Sequence, residues 1–186
     1  MEYKIIETPH NNFPDKEMLN LLHDAYKERV DQNIKFGCSS YTLEEYQDHT
    51  KNGIFFVAYD NGKPVASLTL IPKNIGCYKF GHVCNVAVSS KIKRSGVGSV
   101  VCDNLTDYAK TNGYIFLTST TATTASSSVK WHFRQGFKRF KYIHFPDKDY
   151  DSFYFVKILK WNLLTLIIMF VRIPVFCLTF LYSKLN

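Results

Sequence analysis

A basic side chain at Lys93 and glycines at Gly96 and Gly98 follow the apolar run Val83-Cys84-Asn85-Val86-Ala87-Val88 and lead into an amphipathic stretch over 97–109. A strand, a glycine-bearing loop and a helix start, in that order, can hold phosphate. The first N–H groups of a helix have no partner inside it, and the macrodipole gives them partial positive charge. Gly96 and Gly98 let backbone N–H groups approach an anion with no Cβ in the way, while Lys91, Lys93 and Arg94 add full charges. Neither G-x-G-x-x-G nor G-x-x-x-x-G-K-[ST] is present, so a dinucleotide fingerprint and a P-loop are excluded. Taken alone, the pattern also fits a solvated basic turn. Its place behind a V-A-V strand favours the anion site.

Such a loop needs elements to position it, and the chain supplies them in order. Residues 2–7 alternate as a strand. Phe13-Pro14-Asp15 starts a helix with Met18, Leu21, Leu22, Tyr26 and Val30 at helical spacing. A loop over 31–41 follows, and Thr42-Leu43-Glu44-Glu45 is a capping box that opens a second helix. Strands over 54–59 and 65–71 flank the turn Asp60-Asn61-Gly62. The strand ending at Val88, the loop and its helix come next, with Asn112-Gly113 as a C-cap. A strand over 114–118, a helix over 128–135 stopped by Gly136, and strands over 139–145 and 152–160 around Pro146-Asp147 complete the set. The Ser/Thr-rich run 118–128 is short and sits between a strand and a helix, so it reads as an ordered loop rather than as a linker.

Two patterns carry a resemblance. Lys93-x-x-Gly96-x-Gly98 resembles the [QR]-x-x-G-x-[GA] acyl-CoA signature of the GNAT superfamily of N-acyltransferases, with Lys in place of Gln or Arg. Roughly 40 residues on, the stretch from Ser128 to Phe137 resembles the family's N-x-x-[AS]-x-x-x-[YH]-x-x-x-G-F. Ser128, His132, Gly136 and Phe137 match, whereas the Asn position falls on Ala125, a departure that removes one usual cofactor contact. The order β-α-α-β-β-β-α-β-α-β-β is also the family's, so the resemblance covers about 1–160. It implies an α/β (α+β) fold with helices on both faces of a mixed, mostly antiparallel sheet, splayed between its fourth and fifth strands.

The resemblance implies an N-acetyltransferase that moves an acetyl group from acetyl-CoA to a primary amine by direct attack in a ternary complex. Backbone groups of Val86, Ala87 and Val88 would meet the pantetheine and polarise the carbonyl. Lys93, Arg94, Ser95, Gly96, Val97, Gly98 and Ser99 would take the diphosphate, and Ser128 would join the cofactor contacts. His132 stands where the family often has the Tyr that protonates the leaving thiolate, and histidine titrates in the right range. As a residue it reads equally well as a helix histidine facing solvent. Tyr26, Phe36 and Tyr41, with Tyr46, would wall the acceptor pocket, although each also suits plain packing. His82 and Asn85 flank the central strand and could move the amine proton; packing is the simpler reading of both.

Composition sets the limits. A chain of 186 residues can bury one proper core. The five cysteines are scattered without a C-x-x-C pair, so no metal and no disulfide framework is expected. Residues 130–186 hold 10 basic and 3 acidic side chains, and that excess is the whole net charge of +7. Nucleic-acid binding is not expected, because no stacking or groove-reading motif accompanies the charge. Beyond the acyltransferase domain at 1–160, the tail at 161–186 is apolar. Its stretch 161–182, with Trp161 and Tyr182 at the ends, has the length of a bilayer span, which takes about 20 residues. Arg172 and Pro174 interrupt it, so a helix packed on the domain or in a homodimer is the alternative. The expected place is the cytoplasm, on the cytoplasmic face of a membrane. The competing function is a non-catalytic GNAT-like module that binds acyl-CoA or a partner at that membrane.

Overall fold

Local chemistry starts the elements. In the computed structural model, which describes residues 1–7, 13–30, 36–145 and 150–171, Thr42 Oγ1 accepts from the Glu45 N–H at 3.2 Å. The Thr42 N–H donates to Glu45 Oε2 at 2.7 Å, which closes the capping box. The chain divides into two compact units, one made of Met1–Ile71 and Val83–Leu105, the other of Pro72–His82 and Thr106–Asn186. Seven strands are hydrogen-bonded in the order β1-β2-β3-β4-β5-β7-β6 (ranges below), and the β4–β5 pair is parallel.

The first unit holds β1 (Glu2–Glu7), α1 (Lys16–Val30), α2 (Leu43–Thr50), β2 (Ile54–Asp60), most of β3 (Lys63–Ile75), the end of β4 (Tyr78–Val88) and the start of α3 (Val97–Thr111). β1 and β2 are antiparallel, with Glu2 opposite Tyr59 and Glu7 opposite Ile54. The apolar stripe of α1, Met18, Leu21 and Leu22, packs with Tyr46, Phe55, Val57 and Ala87. Burying each such aliphatic side chain contributes roughly 1.5–3 kcal/mol. The buried side of α3 presents Val97, Val101, Cys102 and Leu105 at helical spacing.

The second unit holds the start of β4, β5 (Tyr114–Ala122), α4 (Ser126–Arg134), β6 (Lys138–His144), β7 (Asp151–Ile158) and α5 (Leu163–Val171). β7 lies between β5 and β6 and is antiparallel to both, with Phe116 opposite Ile158 and His144 opposite Asp151. Its core gathers Ile75, Phe80, Ile115, Phe116 and Val156.

Two expectations change, and a third gains no support. β3 runs on to Ile75, past the expected end, and turns into β4 at Gly76 and Cys77. The run 118–128 is not a loop. β5 continues to Ala122 and α4 begins at Ser126, because β-branched Thr suits a pleated strand as well as a linker. The membrane reading of the tail gains no support from the described residues. α5 has nine residues, about 14 Å of helix, and among the described residues no helix is long and apolar enough to cross a membrane. Nothing in the described residues supports membrane contact or a homodimer. The rest of 161–182, with Arg172 and Pro174, and the turn at Pro146-Asp147 lie outside them.

Candidate active site

In the first unit the loop after β4 is built around backbone that only a few residues adopt. Ser90–Ile92 forms a single 3-10 turn, and the Ser95 N–H donates to the Ile92 carbonyl at 3.2 Å. Arg94 takes φ +69 and Gly96 takes φ +89. A Cβ placed on Gly96 would meet nothing within 4 Å, so the loop leaves open space at that point. The Gly96 carbonyl accepts from the N–H groups of Ser99 (2.9 Å) and Val100 (3.2 Å), which starts α3. The Val97 N–H reaches Ser95 Oγ at only 3.4 Å, a weak local cap.

The loop is held from α1. Asp24 accepts three hydrogen bonds: from Ser89 Oγ (3.0 Å), the Ser90 N–H (2.8 Å) and Ser90 Oγ (2.7 Å). Burial works to raise the Asp24 pKa, but the Ser90 and Ser89 hydrogen bonds and the Lys93 charge together hold it below its ordinary value. Lys93, the expected diphosphate contact, pairs with Glu28 at 2.8 Å. These two α1 carboxylates carry no motif. The only sequence signal is Asp24 and Glu28 one helical turn apart.

On β4, Val86 and Val88 are half-buried and Ala87 joins the first unit's core. Asn85 takes φ +49 inside the strand and is 7% exposed, and its Nδ2 has no hydrogen-bond partner. A strained, unsatisfied amide there marks a place where a ligand can be recognised. Among the expected acceptor residues, Tyr26 and Phe36 meet edge to face at 5.5 Å. Tyr41 stacks with Tyr46 at 6.3 Å. Burial drives the Tyr46 phenol far above its ordinary pKa, so it stays neutral.

In the second unit, Ser128 and His132 are brought together on α4. His132 is 2% exposed, its Nδ1–H donates to the Ser128 carbonyl at 2.8 Å, and its Nε2 bonds Ser119 Oγ at 2.9 Å. Its ring stacks on Phe155 at 4.6 Å. Ser128 Oγ accepts from Thr121 Oγ1 at 2.9 Å. The helix then stops in a Schellman motif: Gly136 takes φ +78, its N–H donates to Phe133, and the Phe137 N–H reaches back to His132 at 3.0 Å. Ala125 stands at the N-cap, buried and without a side-chain cap. Sequence reasoning gave His82 no partner; its Nδ1 lies 3.0 Å from Thr118 Oγ1. It also missed an exposed group in which Asp151 accepts from Tyr142 and His144, which lowers its pKa.

The sequence model of the Acetyltransferase (GNAT) family matches residues 16–137, a span that includes both the Lys93–Gly98 loop and the α4 stop. The chain belongs to the GNAT acetyltransferase family. An acetyltransferase of Streptococcus agalactiae is 20% identical, with a TM-score of 0.64 over 84% of this chain and 98% of its own. The ribosomal-protein-S18-alanine N-acetyltransferase of Escherichia coli is 14% identical, with a TM-score of 0.62 over 87% and 96%. A GNAT acetyltransferase of Elizabethkingia anophelis with acetyl-CoA bound is 18% identical, with a TM-score of 0.59 over 84% and 98%. At these identities the structures show the shared fold. A search of curated proteins gives no match. The GNAT family makes this chain an acyltransferase by kind, and acetyl-CoA is that family's co-substrate.

Proposed function

We propose that this GNAT protein transfers the acetyl group of acetyl-CoA to a primary amine by direct attack in a ternary complex. The observation that carries the reading is Gly96: positive φ, open space where a Cβ would stand, and a helix N-terminus behind it. Those features fit a diphosphate. The thioester supplies an acyl group already activated toward amines. On this reading, Lys93, Arg94, Ser95, Gly96, Val97, Gly98 and Ser99 bind the diphosphate. The backbone of Val86, Ala87 and Val88 orients the pantetheine. Tyr26, Phe36 and Tyr41 shape the acceptor side.

We assign the amine proton to His82, whose ring is half-buried with Nδ1 3.0 Å from Thr118 Oγ1. As the C–N bond forms, the C–S bond breaks and the thiolate leaves. His132 fits a structural role better than that of the acid, since both its nitrogens are engaged and its ring is enclosed. One observation favours the competing reading of a non-catalytic acyl-CoA-binding module: Ala125 where the family pattern has Asn. The test is thiol release from acetyl-CoA against a panel of small amines, amino sugars and peptides, with mass spectrometry of the products. Tight acetyl-CoA binding with no acetylated product from any amine would leave the binding module standing and remove the transferase.

A further inference from the structure

Among the described residues, Asn61, Asn85 and Arg94 take positive φ without being glycine. Asn61 sits in the exposed turn between β2 and β3, where asparagine is an ordinary choice. Arg94 sits in the loop before α3. Asn85 is different. It lies inside β4, is 7% exposed, and holds a buried Nδ2 with no hydrogen-bond partner. A buried donor left unmet destabilises a fold, and glycine would allow the same φ without one. The carboxamide therefore gains nothing for the folded chain by itself. A ligand that accepts a hydrogen bond removes the deficit. With Nδ2 unbonded, the amide can also turn about Cβ–Cγ, a torsion that is broad for asparagine.

We infer that Asn85 is a catalytic residue whose Nδ2–H donates to the thioester carbonyl oxygen of acetyl-CoA. The inference rests on the proposed course of the co-substrate. There the diphosphate lies at residues 93–99, beyond the end of β4, and the pantetheine runs back along Val88 to Val86. The thioester then arrives beside Asn85, the next residue of the same strand. A carboxamide offers N–H donors but is not an acid or a base near neutral pH, so Asn85 does not move the amine proton. What it supplies is polarisation. As the amine nitrogen bonds the carbonyl carbon, the C=O π pair moves onto oxygen. Nδ2–H meets the charge that collects there, beside the backbone N–H groups of the strand. The pair returns as the C–S bond breaks, the thiolate leaves with the bonding electrons, and the amine proton passes to His82.

The contact is read without turnover, from proton–nitrogen correlation of the side-chain amides in the full chain, with Asn85→Gly to assign the pair. Acetyl-CoA should shift the Asn85 signals, and CoA, which has no acetyl carbonyl, should shift them far less. Equal spectra with the two ligands overturn the inference. Turnover is followed as thiol release from acetyl-CoA with the best amine of the panel. Asn85→Gly should lower kcat about 10²–10³-fold, the loss expected of one oxyanion donor, while the KM for acetyl-CoA holds. Its Tm should also hold, because the glycine gives up no hydrogen bond within the chain; the loss of one would lower Tm by about 2–4 °C. Asn85→Asp keeps the size and removes the donor. Its kcat should fall at least as far, which separates lost polarisation from the extra backbone freedom of glycine. Wild-type kcat in both variants, with or without a fall in Tm, assigns the amide to the fold and overturns the inference. Acetyl-CoA that shifts Asn85 while no amine is acetylated would instead sink the transferase reading and keep the contact.

Discussion

The loop at Ser89–Ser99 and the helix at Ser126–Arg134 each carry half of the sequence resemblance, and they are built in opposite ways. In the loop, side chains hold the backbone from outside, and the space at Gly96 is left open. On α4, the matching residues satisfy one another: His132 bonds Ser128 and Ser119, stacks on Phe155 and meets Phe137 at 5.5 Å. The spacing of His132, Gly136 and Phe137 is what a Schellman stop requires, with an apolar contact across it. A pattern shared by a family can thus record how a helix ends as readily as which atom reacts.

Four experiments break or sharpen that contrast. The largest effect belongs to Gly96→Val, which puts a β-branched side chain at φ +89 and fills the open space. Acetyl-CoA affinity by calorimetry should fall by well over tenfold, about 1.4 kcal/mol or more. Unchanged affinity would show that the loop is not the diphosphate site. Next, His132→Phe keeps an aromatic ring and strips both hydrogen bonds. It removes the bond to the Ser119 hydroxyl in a buried site, a loss of about 1 kcal/mol or more that should lower Tm by several degrees. Below the transition, kcat should stay near that of the wild type. A kcat loss of about 10²–10⁴-fold at unchanged Tm would instead return His132 to the role of acid.

Asp24→Asn comes third. It keeps the shape but weakens three charge-assisted hydrogen bonds, and acetyl-CoA affinity should fall by about three- to tenfold. The folded pKa of Asp24 is depressed, so its contribution is full above the ordinary carboxylate range and is lost as pH falls through the folded value. The stability of the variant should therefore fall less than that of the wild type as pH drops below the ordinary carboxylate range, followed as Tm against pH. The smallest effect is expected of Glu28→Gln, which releases Lys93 from an exposed pair worth about 0–1 kcal/mol. Acetyl-CoA affinity should rise by less than about fivefold at low salt, and the gain should vanish in high salt. Weaker binding in this variant would mean that Glu28 holds Lys93 in place for the ligand rather than away from it.

What could be read from the sequence was local. Thr42 and Glu45 sit three residues apart and cap one helix; Gly136 ends another; the Gly96 loop follows its strand directly. Each of these is decided within a few residues. What escaped was decided at a distance. Nothing near Thr118 says whether it is linker or strand, because the answer comes from β7 pairing alongside, with Thr118 opposite Val156. Nothing near His82 names Thr118, 36 residues away, as its partner. The tail gave a composition without an architecture: the same apolar residues suit a span, an interface or a short helix such as α5.

Asp24 has a bearing on the order in which the molecule is assembled. Its partners Ser89 and Ser90 lie 65 and 66 residues further along the chain. The final geometry at Ser89 and Ser90 therefore includes contacts that exist only when α1 is docked, and contacts so far apart in sequence are slower to form than local ones. The Ser90 amide, an exposed donor beside a helix start, should therefore exchange its hydrogen at the rate set by the opening of α1 rather than of α3. A substitution in the core of α1, such as Leu22→Ala, would then loosen a loop that it does not touch.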